Sequence, residues 1–243
     1  MAFLKNLFKQ DNPASAETTT NVSAPKPPVS LAERHAIIHE DTSEWFSVPI
    51  ITAAERRIIV GSNDPVRYGT LHMAFRQILE HNIPGSLAEC GVYKGHLSKF
   101  IHAALPKRTL YLFDTFEGFD DRDKDSPNDS RFRDTSEEGV RNYIGDLTNV
   151  VIRKGYFPQT ATGLELERFA FVMLDFDKYE PTVAALELFY PLLNSGGFLF
   201  VHDYSSPESN WACSRALDGF LKDKPEKPIL IPDSWGTALI RKI

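Results

Sequence analysis

The stretch FVMLDFDKYEPT, residues 171–182, sets Asp175 and Asp177 just beyond an apolar run. A second run, GGFLFVHDY, ends on His202 and Asp203. Carboxylate and imidazole groups gathered at strand ends can bind a divalent ion, with water or substrate hydroxyls completing its shell. The expected metal ligands are Asp175, His202 and Asp203, and the imidazole leaves manganese, iron or zinc as open as magnesium. A hydrogen-bonded cluster without metal is the competing reading of the same residues. Asp177 lies where the chain turns out of the strand, so it is assigned to a supporting role behind the ligands.

Two more apolar runs end on acids. In SLAECGVYKGHLSKFIHAALP, Glu89 precedes a turn holding Gly91 and Gly95, where backbone can approach a ligand without side-chain obstruction. In TLYLFDTFEGF the run ends on Asp114, a carboxylate able to accept paired ribose hydroxyls. Glu89, Gly91, Gly95 and Asp114 are the expected cofactor-binding residues. The turn is neither the Gly-x-Gly-x-x-Gly dinucleotide fingerprint nor a P-loop, which weakens the case for a nicotinamide oxidoreductase. A structural carboxylate at Glu89, a helix cap at Asp114, and core packing for Phe116 and Phe119 are the plain alternatives.

These ends must be brought to one place by the elements that carry them. VRYGTLHMAFRQILEHN has the spacing of a helix, with Leu71, Phe75, Ile78 and Leu79 on its apolar face. After the turn at Pro84 and Gly85, the order is a strand through Glu89, a helix from about His96 to Leu105, and a strand ending near Asp114. Strands follow at NVVIRKG, FAFVMLDFD and GGFLFVHDY, with a helix over Val183 to Leu193 between the last two. Such alternation predicts an α/β sheet of parallel strands with crossover helices, whose strand-end loops share a crevice. A further helix is expected around Ala212 to Leu221. PILIP and TALIRKI, separated by DSWG, read as a hairpin at one edge. The charged stretch 120–137 reads as an exposed loop, with a lid as its functional alternative.

The 243 residues are 42% hydrophobic, enough for a sizeable core, and the formal charge of -6 argues against duplex nucleic acid as the main partner. Residues 1–30 are expected to form a flexible arm and linker, 31–84 a helical lead-in and active-site cover, and 85–243 the catalytic core. Within the arm, Phe3, Leu4, Leu7 and Phe8 recur near helical spacing, which suits contact with a membrane surface or simply a frayed segment. Two isolated cysteines, Cys90 and Cys213, and the lack of a bilayer-length apolar run point to a soluble, cytoplasmic protein. The apolar helices leave homo-oligomer formation open.

Taken in order, ECGVYKG, YLFDTFEGF, KGYFPQT and LDFDKYEPTVAALELFYPLLNSGGFLFVHDY resemble the macrocin and mycinamicin O-methyltransferase family, with its novobiocin-pathway relatives, over Gly85 to Ile243. The resemblance implies a class I methyltransferase fold: a mostly parallel seven-stranded sheet with helices on both faces and an antiparallel C-terminal edge. It also implies S-adenosylmethionine as methyl donor and a hydroxyl of a sugar, glycan or glycosylated small molecule as acceptor. It places Glu89, Gly91 and Gly95 around the cofactor turn, Asp114 by the ribose, and Asp175 as metal-binding carboxylate and general base. His202 stands where the family usually shows the first residue of an Asp-Asp pair, so Asp203 matches and His202 departs from the pattern; without metal, Asp175 or His202 is the base. A metal-dependent glycosyltransferase, suggested by Asp175-Phe176-Asp177, and a non-catalytic S-adenosylmethionine-binding protein are the alternatives.

Overall fold

The computed structural model describes residues 53–123 and 128–243. The readings of the arm and linker at 1–30, and of the lead-in over 31–52, therefore lie outside the described residues. Two helices, α1 (Ala53–Val60) and α2 (Pro65–Glu80), precede the sheet. Then follow β1 (Ser86–Cys90), α3 (His96–Ala104), β2 (Leu110–Asp114), α4 (Glu137–Ile144), β3 (Val150–Lys154), β4 (Phe169–Leu174) and α5 (Tyr179–Leu192). The chain ends with β5 (Leu193–Val201), α6 (Ala212–Phe220), β6 (Ile229–Ile231) and β7 (Thr237–Arg241). Among the described residues no helix is long and apolar enough to cross a membrane.

The seven strands run in the order β3-β2-β1-β4-β5-β7-β6. All neighbours from β3 to β5 pair in parallel, whereas β7 is antiparallel to both β5 and β6. This is the expected mostly parallel sheet with an antiparallel edge. Strand order reverses between β1 and β4, so a crevice opens beyond their carboxyl ends.

Alternation along the central strands divides the core into two. Leu87, Phe171, Met173, Phe198 and Phe200 point to the face covered by Leu71, Phe75 and Ile78 of α2 and Phe100 and Ile101 of α3. Ala88, Cys90, Val172, Leu174, Leu199 and Val201 point to the other face, against Leu186 and Phe189 of α5 and Cys213 and Leu217 of α6. Burial on both faces explains why these strands read as continuous apolar runs.

Helix α2 starts as its sequence dictates, with Pro65 in the first turn and Asp64 as N-cap, accepting from Arg67 N at 3.0 Å. Its buried face includes Tyr68, Leu71, Phe75 and Ile78, but Leu79 is 48% exposed, because it lies one position round the helix from Ile78. Helix α4 lies where the charged loop was expected to end. Ser136 caps it, accepting from Gly139 N at 3.1 Å, and Val140 and Ile144 turn inward. Helix α5 begins earlier than expected, since Pro181 is compatible with a first turn.

A buried carboxylate fastens the C-terminal edge. Glu226 accepts from the Tyr190 hydroxyl, from Lys242 Nζ at 2.9 Å and from Ile243 N at 3.2 Å. Burial pushes its carboxyl up, but these donors outweigh it and bring the pKa down to about 2. Since the folded value is depressed, the stabilisation is complete above the ordinary value of 4.5 and is lost as pH falls toward about 2. Glu226→Ala is expected to cost about 3 kcal/mol in urea unfolding at neutral pH. The gap from wild type should narrow as pH drops below 4.5; a gap constant down to acid pH would refute the clasp.

Candidate active site

Parallel pairing aligns the strand ends. Cys90 is in register with Phe113 and with Leu174, and Leu174 with Val201. The ladder runs one residue further, with Gly91 N donating to Phe113 O at 2.9 Å, Asp175 N to Cys90 O at 2.8 Å and His202 N to Leu174 O at 2.9 Å. Asp114, Gly91, Asp175 and His202 consequently form one row at the carboxyl edge and line a cavity of about 340 Å³, together with Asp203.

At one side of this row, Asp114 braces two loops. Its Oδ2 accepts from Val92 N at 2.7 Å and Tyr93 N at 2.9 Å, and its Oδ1 from Phe116 N at 2.6 Å. Gly91 has φ +89°, and a Cβ there would lie 2.0 Å from the Asp175 carbonyl oxygen. The residue is glycine because β1 and β4 approach so closely here. Glu89 and Gly95 do not line the cavity. Glu89 is buried below it, accepts from Ser98 Oγ at 2.5 Å, and has its carboxyl pushed well up by burial. Gly95 opens α3 at φ +77° and lets Val140 of α4 pack close.

At the other side, one donor atom from each of Asp175, His202 and Asp203 lies within 4.8 Å of the others. His202 Nδ1 is 2.9 Å from Asp175 Oδ1 and 3.0 Å from Asp203 Oδ2. A lone pair facing two carboxylate oxygens would be repelled, so Nδ1 carries hydrogen. Burial alone would lower the His202 pKa, but the two carboxylates push it up to about 11. Asp177, held at φ +60° and buried, shares a hydrogen bond with Asp203. Burial and the Asp203 charge push the Asp177 carboxyl well up, so it keeps its proton and donates. Against burial, His202 and Asp177 hold Asp203 below the ordinary carboxylate range.

Sequence reasoning missed the cation in this cluster. Arg67, in the first turn of α2, lies against His202 Nε2, and its Nη1 is 3.7 Å from Asp175 Oδ2. Its Nε is 3.4 Å from Asp233 Oδ2, and Nη2 donates to Ser234 O at 3.3 Å. Asp64 holds the same loop through Ser234 N at 2.9 Å. A divalent ion here would need Nδ1 stripped of its hydrogen and would meet the guanidinium beside Asp175. The three expected ligands do come together, but in this arrangement a metal would have to displace the His202 Nδ1 hydrogen bonds and the neighbouring guanidinium.

The charged stretch after β2 also reaches the cavity. Lys178 is buried, donates to Asp129 Oδ2 at 2.8 Å and sits 3.8 Å from the centre of the Phe119 ring. Phe119, Asp123, Arg131 and Phe132 form cavity wall, as does Trp235 from the β6–β7 turn.

Comparison with known proteins places this architecture. A family model described as Macrocin-O-methyltransferase (TylF) matches residues 58–241. Among curated relatives, 8-demethyl-8-(2,3-dimethoxy-alpha-L-rhamnosyl)-tetracenomycin-C 4'-O-methyltransferase of Streptomyces olivaceus is 32% identical over 157 residues, covering 57% of this chain and 60% of the relative. Mycinamicin III 3''-O-methyltransferase of Micromonospora griseorubida is 30% identical over 171 residues, covering 62% and 66%. The chain thus spans less than two thirds of either relative. Among solved structures, the O-methyltransferase NovP has a TM-score of 0.63 at 26% identity, covering 73% of this chain and 80% of its own. The calicheamicin methyltransferase CalS11, at 21% identity and TM-score 0.58, covers 90% and 98% and shares the fold.

The close approach at Gly91 is testable against a neutral position. Gly145 also has positive φ, +83°, but an added Cβ would meet nothing within 4 Å. Gly145→Ala is expected to cost about 1 kcal/mol in urea unfolding, and Gly91→Ala more than about 3 kcal/mol. Equal costs would show that β1 and β4 are not packed as described.

Proposed function

The chain belongs to the macrocin-O-methyltransferase family, and on that premise we propose that it transfers a methyl group from S-adenosylmethionine to a hydroxyl of a sugar or glycosylated small molecule. The observation that carries this reading is the row of Asp114, Gly91, Asp175 and His202 along one cavity, at the crossover point of the sheet. In the same proposal the protein works in the cytoplasm on a small glycosylated acceptor or glycan. The tetracenomycin relative, whose name carries a dimethoxy-rhamnosyl group, supports that acceptor class.

S-adenosylmethionine supplies an electrophilic methyl on a sulfonium. Gly91 offers bare backbone for its close approach, and Asp114 stands at the cavity edge beside the turn that would follow the ribose. Asp175 faces the same cavity and is assigned to take the proton of the acceptor hydroxyl. The new bond joins acceptor oxygen to methyl carbon; the carbon–sulfur electron pair returns to sulfur as a thioether, and the proton ends on Asp175. His202 donates to Asp175 and Asp203 and thereby fixes the orientation of the base. Trp235, which lines the cavity and whose carbonyl accepts from Ser205 N at 2.9 Å, is assigned to stack on the acceptor sugar.

No step in this reading passes through the divalent ion expected from the sequence, because one would have to displace the His202 hydrogen bonds and the Arg67 guanidinium. Glycosyl transfer loses its motif as well: Asp177, the second acid of Asp-x-Asp, is buried against Asp203.

Calorimetry with S-adenosylmethionine and S-adenosylhomocysteine is expected to show saturable binding by the folded protein; no binding of either would reject the proposal. With a glycosylated acceptor, Asp175→Asn should lower turnover about a hundred-fold while leaving cofactor affinity within about two-fold. Trp235→Ala should raise the acceptor KM and leave kcat nearly intact. A fall in kcat alone would remove Trp235 from acceptor binding.

A further inference from the structure

We infer that Arg67 is the resident cation of the reaction centre, standing beside Asp175 in place of a divalent ion, and that the site works without bound metal. This inference rests on the methyl-transfer reading and concerns how its charge is managed. Arg67 is 15% exposed at its side chain and lines the cavity with Asp175 and His202. Its place is built from three segments. Asp64 approaches at 3.5 Å from the start of α2, Asp233 and the Ser234 carbonyl at 3.4 and 3.3 Å from the β6–β7 turn, and Asp175 at 3.7 Å from the end of β4. Asp233 is itself held, since its Oδ2 accepts from Thr237 Oγ1 at 2.6 Å.

Both ring nitrogens of His202 are engaged. Nδ1 faces the Asp175 and Asp203 carboxylates, and Nε2 lies 2.8 Å from Ser234 O and against Arg67. Imidazole ligates metal through a bare nitrogen, and neither nitrogen is free here without breaking this network. The planar guanidinium places a positive neighbour 3.7 Å from Asp175. As an acceptor hydroxyl gives its proton to Asp175, the developing negative oxygen would find Arg67 in the same cavity. The acceptors that hold Arg67 in place are already engaged, so little reorganisation is needed.

Mn²⁺ titration of the full-length protein, read by the six-line electron paramagnetic resonance signal of the free ion, tests this directly. Wild type is expected to leave the signal at full amplitude with equimolar Mn²⁺. Removing the guanidinium and restoring the acid pair in Arg67→Leu/His202→Asp should tighten Mn²⁺ binding at least about ten-fold. Stoichiometric loss of the signal with wild type, reversed by Asp203→Asn, would overturn the inference. A folded double variant that gains no Mn²⁺ affinity would also overturn it, by showing that these two residues are not what exclude the ion. Should the double variant fail to fold, His202→Asp alone with Arg67→Gln alone decides the same point. Calorimetry with S-adenosylhomocysteine is read separately. Its failure rejects the methyl-transfer reading and leaves the Mn²⁺ result standing, whereas Mn²⁺ uptake by wild type sinks only the role given to Arg67.

Discussion

Backbone hydrogen bonds carried one residue past β1, β4 and β5 are the constraint on which the site depends. They hold Gly91, Asp175 and His202 in line with Asp114, although the four come from separate runs of the chain. The register behind them is set by packing on both faces. Phe171 and Met173 must meet α2 and α3, and Val172 and Leu174 must meet α5 and α6. A slip of one residue in β4 would exchange the two sets and swing Asp175 off the cavity side. Core composition therefore decides where the Asp175 carboxylate points.

A row of strand ends this close together concentrates negative charge at a poorly solvated edge, and the cluster shows how that charge is balanced. Asp177 keeps a proton and gives its hydrogen bond to Asp203. His202 bridges Asp203 and Asp175 through a single nitrogen. Arg67 then closes the group from α2, which ties the helix start, the end of β4 and the β6–β7 turn together. Like charges at this separation raise one another's cost of ionisation unless protons and cations are interposed. The buried proton on Asp177 and the guanidinium of Arg67 are two answers to the same electrostatic problem.

What could be read from sequence follows from locality. Apolar runs ending on Asp114, Asp175 and His202 marked the strand ends correctly, because two-sided burial makes such runs continuous. The PILIP and TALIRKI hairpin was legible from its short polar turn. Arg67 was not, because its partners Asp175, Asp233 and Ser234 are brought to it only by the tertiary fold; the visible signal was Asp64-Pro65, a helix start that says nothing of what the next turn faces. Helix α4 was hidden by Gly139 and by the charges around it, since its burial rests on Val140 and Ile144 alone. Leu79 satisfied helical spacing yet faces solvent, because a period of 3.6 leaves the edge of an apolar stripe undetermined until a neighbour packs on it.

The cavity lining is built from different materials. The acids of the row are fixed by ladder bonds within the sheet, whereas another part of the lining is loop, gathered by the buried Lys178 and its bond to Asp129. Lys178 draws that loop inward from the start of α5, only three positions after the carboxylate assigned to proton transfer. Movement of the wall is therefore mechanically linked to the segment carrying Asp175, through a charge pair whose breakage would leave a buried ammonium unpaired. Asp114 makes the same kind of link on the opposite side, joining the glycine turn to Phe116 through its two oxygens. A ligand that competes for those oxygens would loosen the turn and the loop together.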